Sequence, residues 1–221
     1  MKLKNNVKLL IAVDGGAGSG KTTGSKLIAK KYGLKLLTSG LLYRFIAYKL
    51  LKAKKIKSKK LSLKKITKEI TLKDLKNRNL FGSEITKYTM EIAKIKRIRD
   101  LLKNYQLNFA KNKLCIIEGR DIGTIIIPKA DLKLFFKCSL NTKAKRRFEE
   151  YRKTNKKILF NDVKKAIKLR DSNDSKRKIS PLKPAKDAVI VDTSKVNKKQ
   201  MLTKLSKIIE KKLKEKYGRN L

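Results

Sequence analysis

The segment Gly15-Gly16-Ala17-Gly18-Ser19-Gly20-Lys21-Thr22 constrains this chain more than any other. It satisfies G-x-x-x-x-G-K-[ST] and lies where that pattern has physical meaning: after the apolar run KLLIAV at 8–13, which stops at Asp14, and before a helical pattern running from about Lys21 to Lys31. The glycines let the backbone curl with its N–H groups turned inward, so the loop and the helix N-terminus together form a cradle for an anion. The stretch Gly15 to Thr23 is therefore expected to bind a nucleoside triphosphate: Gly15, Gly16, Ala17, Gly18, Ser19, Gly20, Lys21, Thr22 and Thr23. Within it Lys21 would reach the β- and γ-phosphates, and the Thr22 hydroxyl would ligate Mg²⁺.

The remaining pattern alternates. Leu36 and Leu37 begin a short strand, and SGLLYRFIAYKLL after it carries apolar residues at helical spacing. Lys52 to Phe81 is dense in Lys and weakly periodic, with one helix expected near 61–70; Ser83 to Ala110 reads as long and helical, broken once. Strands are expected at 114–117 (LCII), 132–136 and 188–191, and helices at 142–153 and 160–171. The last helix, from about Asn197 to Lys216, places Leu202, Leu205, Ile208, Ile209 and Leu213 on one stripe. Strands alternating with helices of ten or more residues imply βαβ units: an α/β chain with the P-loop NTPase fold, a central parallel sheet of about five strands flanked by helices.

Composition removes several chemistries. With no His among 221 residues, Ser/His/Asp triads, His-based proton transfer and most transition-metal sites drop out. Cys115 and Cys138 each sit in an apolar run without a CxxC partner and are expected to be buried thiols. The net charge of +43 invites a nucleic-acid reading. Yet only 11 of the 61 basic residues are Arg, the side chain suited to bidentate phosphate and base contacts, and the Lys are spread along the whole chain. That pattern reads as solvated surface, with no specific nucleic-acid partner. No window approaches the roughly 18 consecutive apolar residues needed to span a bilayer, and the start MKLKNNVKLLIAVDGG has no cleavage site. A cytoplasmic protein with no membrane partner is expected.

The same loop serves GTPases, motor ATPases and small-molecule kinases. There is no NKxD-like base-reading segment, and LCIIEGRD lacks the ending and switch sequences of a GTPase, so a small-molecule kinase is favoured. Three further segments resemble the bacterial cytidylate kinase family, P-loop enzymes that phosphorylate CMP and dCMP with ATP. They are Thr38-Ser39-Gly40-Leu41-Leu42-Tyr43-Arg44, Glu118-Gly119-Arg120-Asp121-Ile122-Gly123-Thr124, and Leu169-Arg170-Asp171-Ser172-Asn173-Asp174-Ser175-Lys176-Arg177 leading to Ser180-Pro181-Leu182. Their order and spacing match over roughly residues 7–215.

The resemblance implies a core at 1–38, 101–145 and 181–221, a nucleoside monophosphate-binding segment at 39–100 and a lid at 146–180. It implies that Lys21, Arg44, Arg120 and Arg177 act on the phosphates, where a planar guanidinium matches two oxygens at once. Ser39, Arg99 and Asp121 resemble the readers of the cytosine edge, a carboxylate accepting from the amino group and Arg donating to the acceptors. Arg170 and Asp174 resemble the ribose contacts. Two departures stand out. The segment between Arg44 and Glu84 is shorter than the family's usual insertion, with Thr89 or Met90 near the place of a ribose-binding serine, and the lid carries Ser172, Asn173, Ser175 and Lys176 where Arg or other charges are common. The acceptor phosphate, with a second pKa of about 6, is already ionised at pH 7, so no protein base is required. Catalysis would rest on in-line positioning and on cations around the transferring group: Lys21, Mg²⁺, Arg44, Arg120, Arg177 and one of Arg146 and Arg147. Closure of the acceptor-binding segment and the lid would exclude water. The expected partners are ATP and CMP or dCMP, taken by a monomer.

Overall fold

Strand β1 (Leu9–Gly15) lies at the centre of a five-stranded sheet, as its apolar character on both faces requires. The computed structural model describes residue 3 and residues 7–55, 62–152 and 157–218. The chain runs through α1 (Lys21–Tyr32), β2 (Lys35–Thr38), α2 (Ser39–Lys55), α3 (Leu63–Lys68), α4 (Ser83–Ile92), α5 (Lys96–Ala110), β3 (Leu114–Gly119), β4 (Leu132–Lys137), α6 (Leu140–Arg152), α7 (Phe160–Lys176), β5 (Val189–Asp192) and α8 (Lys198–Tyr217). Residues 61 and 153, at the ends of two expected helices, fall outside the described residues. The strand order is β2-β3-β1-β4-β5. β1 pairs in parallel with β3, Leu9 opposite Leu114 through Asp14 opposite Gly119, and with β4, Ile11 opposite Leu132 through Gly15 opposite Phe136. β4 pairs in parallel with β5. This is the α/β P-loop architecture expected from the sequence.

The chain divides into two compact units, residues 1–36 with 113–221, and residues 37–112. In the first, Leu9, Ile11 and Val13 of β1 pack with Ile28 and Tyr32 of α1, with Leu134 and Phe136 of β4, and with Met201, Leu205, Ile209 and Leu213 of α8. The α8 stripe is rotated slightly from the expected one: Met201 is in the core, while Leu202 and Ile208 are partly buried at its margin. Asn197 starts that helix with a reciprocal cap, its side chain accepting from the Gln200 N–H and the Gln200 side chain accepting from its own. α6 and α7 form a small core of their own from Ala144, Val163 and Ile167, with Phe148 and Phe160 edge to face. In the second unit α2 packs on α3 and α4, and α3 on α5, around buried residues such as Phe45, Ile46, Leu80, Ile85 and Leu102. The expected break in 83–110 falls at residues 93–95, between α4 and α5.

Cys115 is a buried thiol, and burial pushes its pKa up to about 11 against the small opposing effect of Lys35. Cys138 corrects the reading of a second buried thiol. It follows the last paired residue of β4, Lys137, and is only partly covered, because the apolar run FFKC outlasts the sheet.

Candidate active site

The in-register pairing brings the C-terminal ends of β1, β3 and β4 to one edge of the sheet, where ligands of open α/β sheets collect. Gly15 closes β1 so tightly on β4 that a Cβ there would stand 2.7 Å from the Phe136 carbonyl oxygen. Gly20 opens α1 with φ of +82°, in the left-handed region that favours glycine. Behind the loop, the fully buried Thr193 donates from its hydroxyl to the Ser19 carbonyl at 2.8 Å, and Arg146 donates to the Thr193 carbonyl at 2.7 Å. Arg147 instead donates to Glu150, on the surface of α6. A cavity of about 460 Å³ lies beside the loop, lined by residues including Gly16, Phe136, Cys138, Lys143, Asp171 and Ser194.

Lys21 folds back over the loop and donates to the Gly16 carbonyl at 3.2 Å. Burial of its ammonium lowers its pKa to about 7, helped by the charges of Arg120 and Arg170 and opposed by those of Glu118 and Asp174. Charges far apart in sequence thus act on one ammonium.

Next to it, Thr22 Oγ1 donates to Glu118 Oε1 at 2.9 Å. Glu118 is 1% exposed, and its Oε2 is buried without a hydrogen-bond partner. Alternation along β3 explains its direction: Glu118 is in register with Val13, whose side chain faces α1, so both point to the face on which Thr22 opens that helix. The sequence reading named Thr22 as a metal ligand and passed over Glu118.

Arg120, Asp121, Asp174 and Arg177 form one connected cluster in the first unit. Arg120 Nε donates to Asp174 Oδ2 at 2.7 Å, Arg177 lies 3.6 Å from Asp121 and 3.9 Å from Asp174, and Arg177 Nε donates to the Ser180 carbonyl. Burial pushes the Asp174 carboxyl up, but the charge and hydrogen bond of Arg120, with Arg170 and Arg177, outweigh it and hold the group below the usual carboxylate range. One turn earlier on α7, Asp171 accepts from the Ala17 N–H at 2.8 Å and from Lys143 at 2.7 Å. Asp171 and Lys143 are contacts to the loop that the sequence reading did not single out.

The other expected residues lie in the second unit. Ser39 opens α2, is 4% exposed and accepts from the Gln106 side-chain amide. Arg44 donates from one nitrogen to the Leu80 carbonyl at 2.7 Å and to Thr86 Oγ1 at 3.0 Å, and lies over the Phe81 ring. Arg99 is 7% exposed, donates to the Ala93 carbonyl at 3.1 Å and stacks over Tyr43. Thr89 is buried and donates to the Ile85 carbonyl of its own helix, while Met90 is exposed.

The pattern of the family described as cytidylate kinase matches residues 11–211. The chain belongs to the cytidylate kinase family. It is 35% identical over 212 residues to the cytidylate kinase of Thermosipho melanesiensis, covering 92% of this chain and 98% of that one. It is 36% identical over 215 residues to the cytidylate kinase of Pseudothermotoga lettingae, covering 94% and 96%. Among solved structures, an uncharacterized protein from Eubacterium ventriosum has the same fold with a TM-score of 0.56 at 16% identity, covering 93% of this chain and 99% of that one. TT1252 from Thermus thermophilus aligns with a TM-score of 0.50 at 15% identity, covering 93% and 98%. In this cytidylate kinase family member no helix of the described residues is long and apolar enough to cross a membrane.

Proposed function

We propose that the chain transfers the γ-phosphoryl group of ATP to CMP or dCMP, giving ADP and CDP or dCDP. The observation that carries this reading is the convergence on Lys21: Arg120, Arg170 and Asp174, drawn from GRDIGT and RDSNDSKR, act electrostatically on the lysine of the triphosphate loop. In a family of phosphotransferases, that is the neighbourhood a phosphoryl group would have to occupy.

In this reading Gly15 to Thr23 hold the donor, and Lys21 spreads positive charge over its β- and γ-phosphates. Arg120 and Arg177 neutralise the transferring group, and Arg44 binds the acceptor phosphate. Asp121 accepts from the cytosine amino group, Arg99 and Ser39 serve the remaining base edge, and Arg170 and Asp174 serve the ribose. Arg120 and Arg177 both lie within ion-pair distance of Asp174, so the groups this reading gives to the phosphates and to the ribose stand in one cluster, which supports the assignment. Residues 39–100 would form the acceptor-binding segment, 146–180 the lid, and 1–38, 101–145 and 181–221 the core.

The oxygens of Thr22 and Glu118 fit a hard divalent cation, Glu118 Oε2 being a buried carboxylate oxygen still in need of a partner. They would hold Mg²⁺, which when bound neutralises charge on the donor phosphates. The chain's own contribution is to fix both substrates in line and to keep water out. This reading also makes the protein a cytoplasmic monomer acting on free nucleotides, with no specific nucleic-acid or membrane partner. An ADP-release assay across CMP, dCMP, UMP, AMP and dTMP tests it: CMP or dCMP should be turned over with the highest kcat/KM, and a preference for any of the other three would overturn it.

A further inference from the structure

β1 carries a carboxylate at its penultimate position, where an apolar residue would serve the strand better. Asp14 is 4% exposed, in register with Gly119, and its side chain projects to the face opposite Val13. Oδ1 accepts from the Ile122 N–H at 2.8 Å and Oδ2 from the Gly123 N–H at 2.7 Å. Both amides belong to the turn Ile122–Ile126, a single wide turn in which the Ile127 N–H reaches back to the Ile122 carbonyl at 2.8 Å. That turn directly follows Arg120 and Asp121.

The turn packs against the carboxylate with little room to spare beside residue 123. A Cβ on Gly123 would stand 3.4 Å from Asp14 Oδ2 and 3.2 Å from the Lys133 side chain on β4. Burial drives the Asp14 pKa up to about 6, although both backbone hydrogen bonds resist the rise; the charge of Asp121 adds to it and that of Arg120 opposes it. A buried carboxylate kept under that penalty, whose hydrogen-bond donors among the described residues are two backbone amides, calls for a reason outside strand stability.

We propose that Asp14 is a positioning residue for phosphoryl transfer, its carboxylate clamping the Ile122–Gly123 turn to the last residues of β1 and so fixing Arg120 and Asp121 against the phosphate loop that the same strand begins. The inference rests on the phosphoryl-transfer reading above. It links the strand that launches the donor loop to the loop carrying two acceptor-side residues, through hydrogen bonds that touch neither substrate. An amide at position 14 keeps the shape but can accept from only one of the two N–H groups.

The test compares wild type, Asp14→Asn and Gly123→Val, whose two methyls reach beyond a Cβ already in contact with Asp14 and Lys133 and so crowd the same clamp while leaving the carboxylate in place. Three measurements are made: backbone hydrogen exchange across residues 120–127, affinity for the ATP analogue AMP-PNP, and kcat and KM for whichever monophosphate the wild type turns over fastest. Both variants should exchange that turn at least about tenfold faster, and lose up to about 10²-fold in kcat/KM for the acceptor, with AMP-PNP affinity within about twofold of wild type. Unchanged exchange in both variants would show that the clamp does not hold the turn. Faster exchange with wild-type acceptor kinetics, or with an equal loss of AMP-PNP affinity, would show a merely structural role and overturn the proposal. If Asp14→Asn does not fold, Gly123→Val decides alone. Because the acceptor is chosen by the wild type, a preference for something other than CMP or dCMP would sink the substrate reading and leave this comparison intact.

Discussion

Thr22 and Glu118 meet at 2.9 Å across the gap between the start of α1 and the end of β3, and one oxygen of that buried carboxylate has no hydrogen-bond partner. A carboxylate in that state is a poor structural element and a good cation ligand. Glu118→Gln preserves size and can still accept from Thr22. It should therefore fold, yet lower kcat by about 10²-fold or more and move the Mg²⁺ dependence of the rate to higher concentration. A magnesium titration of the initial rate checks this. A variant with reduced thermal stability but a normal magnesium profile would reduce Glu118 to a packing residue.

Lys21 predicts a proton signature. Burial lowers its pKa to about 7, so at pH 8 the side-chain amine is mostly unprotonated. Polyphosphate in the loop favours the charged form, and ATP at pH 8 has no proton of its own to release. Binding at pH 8 should therefore take up close to one proton, seen as a dependence of calorimetric binding enthalpy on the ionisation enthalpy of the buffer. No buffer dependence would count against the assignment. The sign for folding is separate. A lysine whose native pKa lies below its unfolded value of 10.5 is bound to fewer protons when folded, so its contribution makes stability rise with pH between about 7 and 10.5.

Much of this was legible because it is local. The phosphate loop needs only its own eight residues and their flanks, and β1, β3 and β4 announce themselves as short apolar runs. Glu118 was not legible, because its meaning depends on β3 lying beside β1 in a given register, which no window of sequence contains. Asp14 hides for the same reason: its partners are 108 and 109 positions away. Cys138 misled because apolarity marks a core only as far as the sheet continues. The helix expected near 61–70 shrank to Leu63–Lys68 because Lys-rich stretches offer little apolar surface to pack.

Arg177 is held within the first unit by Asp121, Asp174 and the Ser180 carbonyl, a set that suits a planar fork and not a point charge. Arg177→Lys keeps the charge and loses the geometry. It should lower kcat by roughly 10²-fold or more, in the manner of other arginines at transferring phosphoryl groups, while KM for ATP changes little. A rate near wild type in the purified variant would remove Arg177 from the catalytic set.

Gly24 tests the packing beneath the loop independently of any substrate. It sits in α1, three residues after Lys21, where a Cβ would stand 2.8 Å from Cζ of Phe136 and 3.1 Å from a methyl of Leu205, both in the first-unit core. Gly24→Ala gains helix propensity, up to about 1 kcal/mol, but forces a ring that is 1% exposed to move within a close-packed core. Overpacking of this kind costs roughly 1–3 kcal/mol, so with the full propensity gain set against it the net effect should be a destabilisation of up to about 2 kcal/mol. A thermal melt should show a lower Tm. Phe136 also pairs with Gly15, so a displaced ring is transmitted to the first residue of the phosphate loop. The same variant should then bind AMP-PNP more weakly, whereas a Tm at or above wild type would show that Phe136 has room to turn aside.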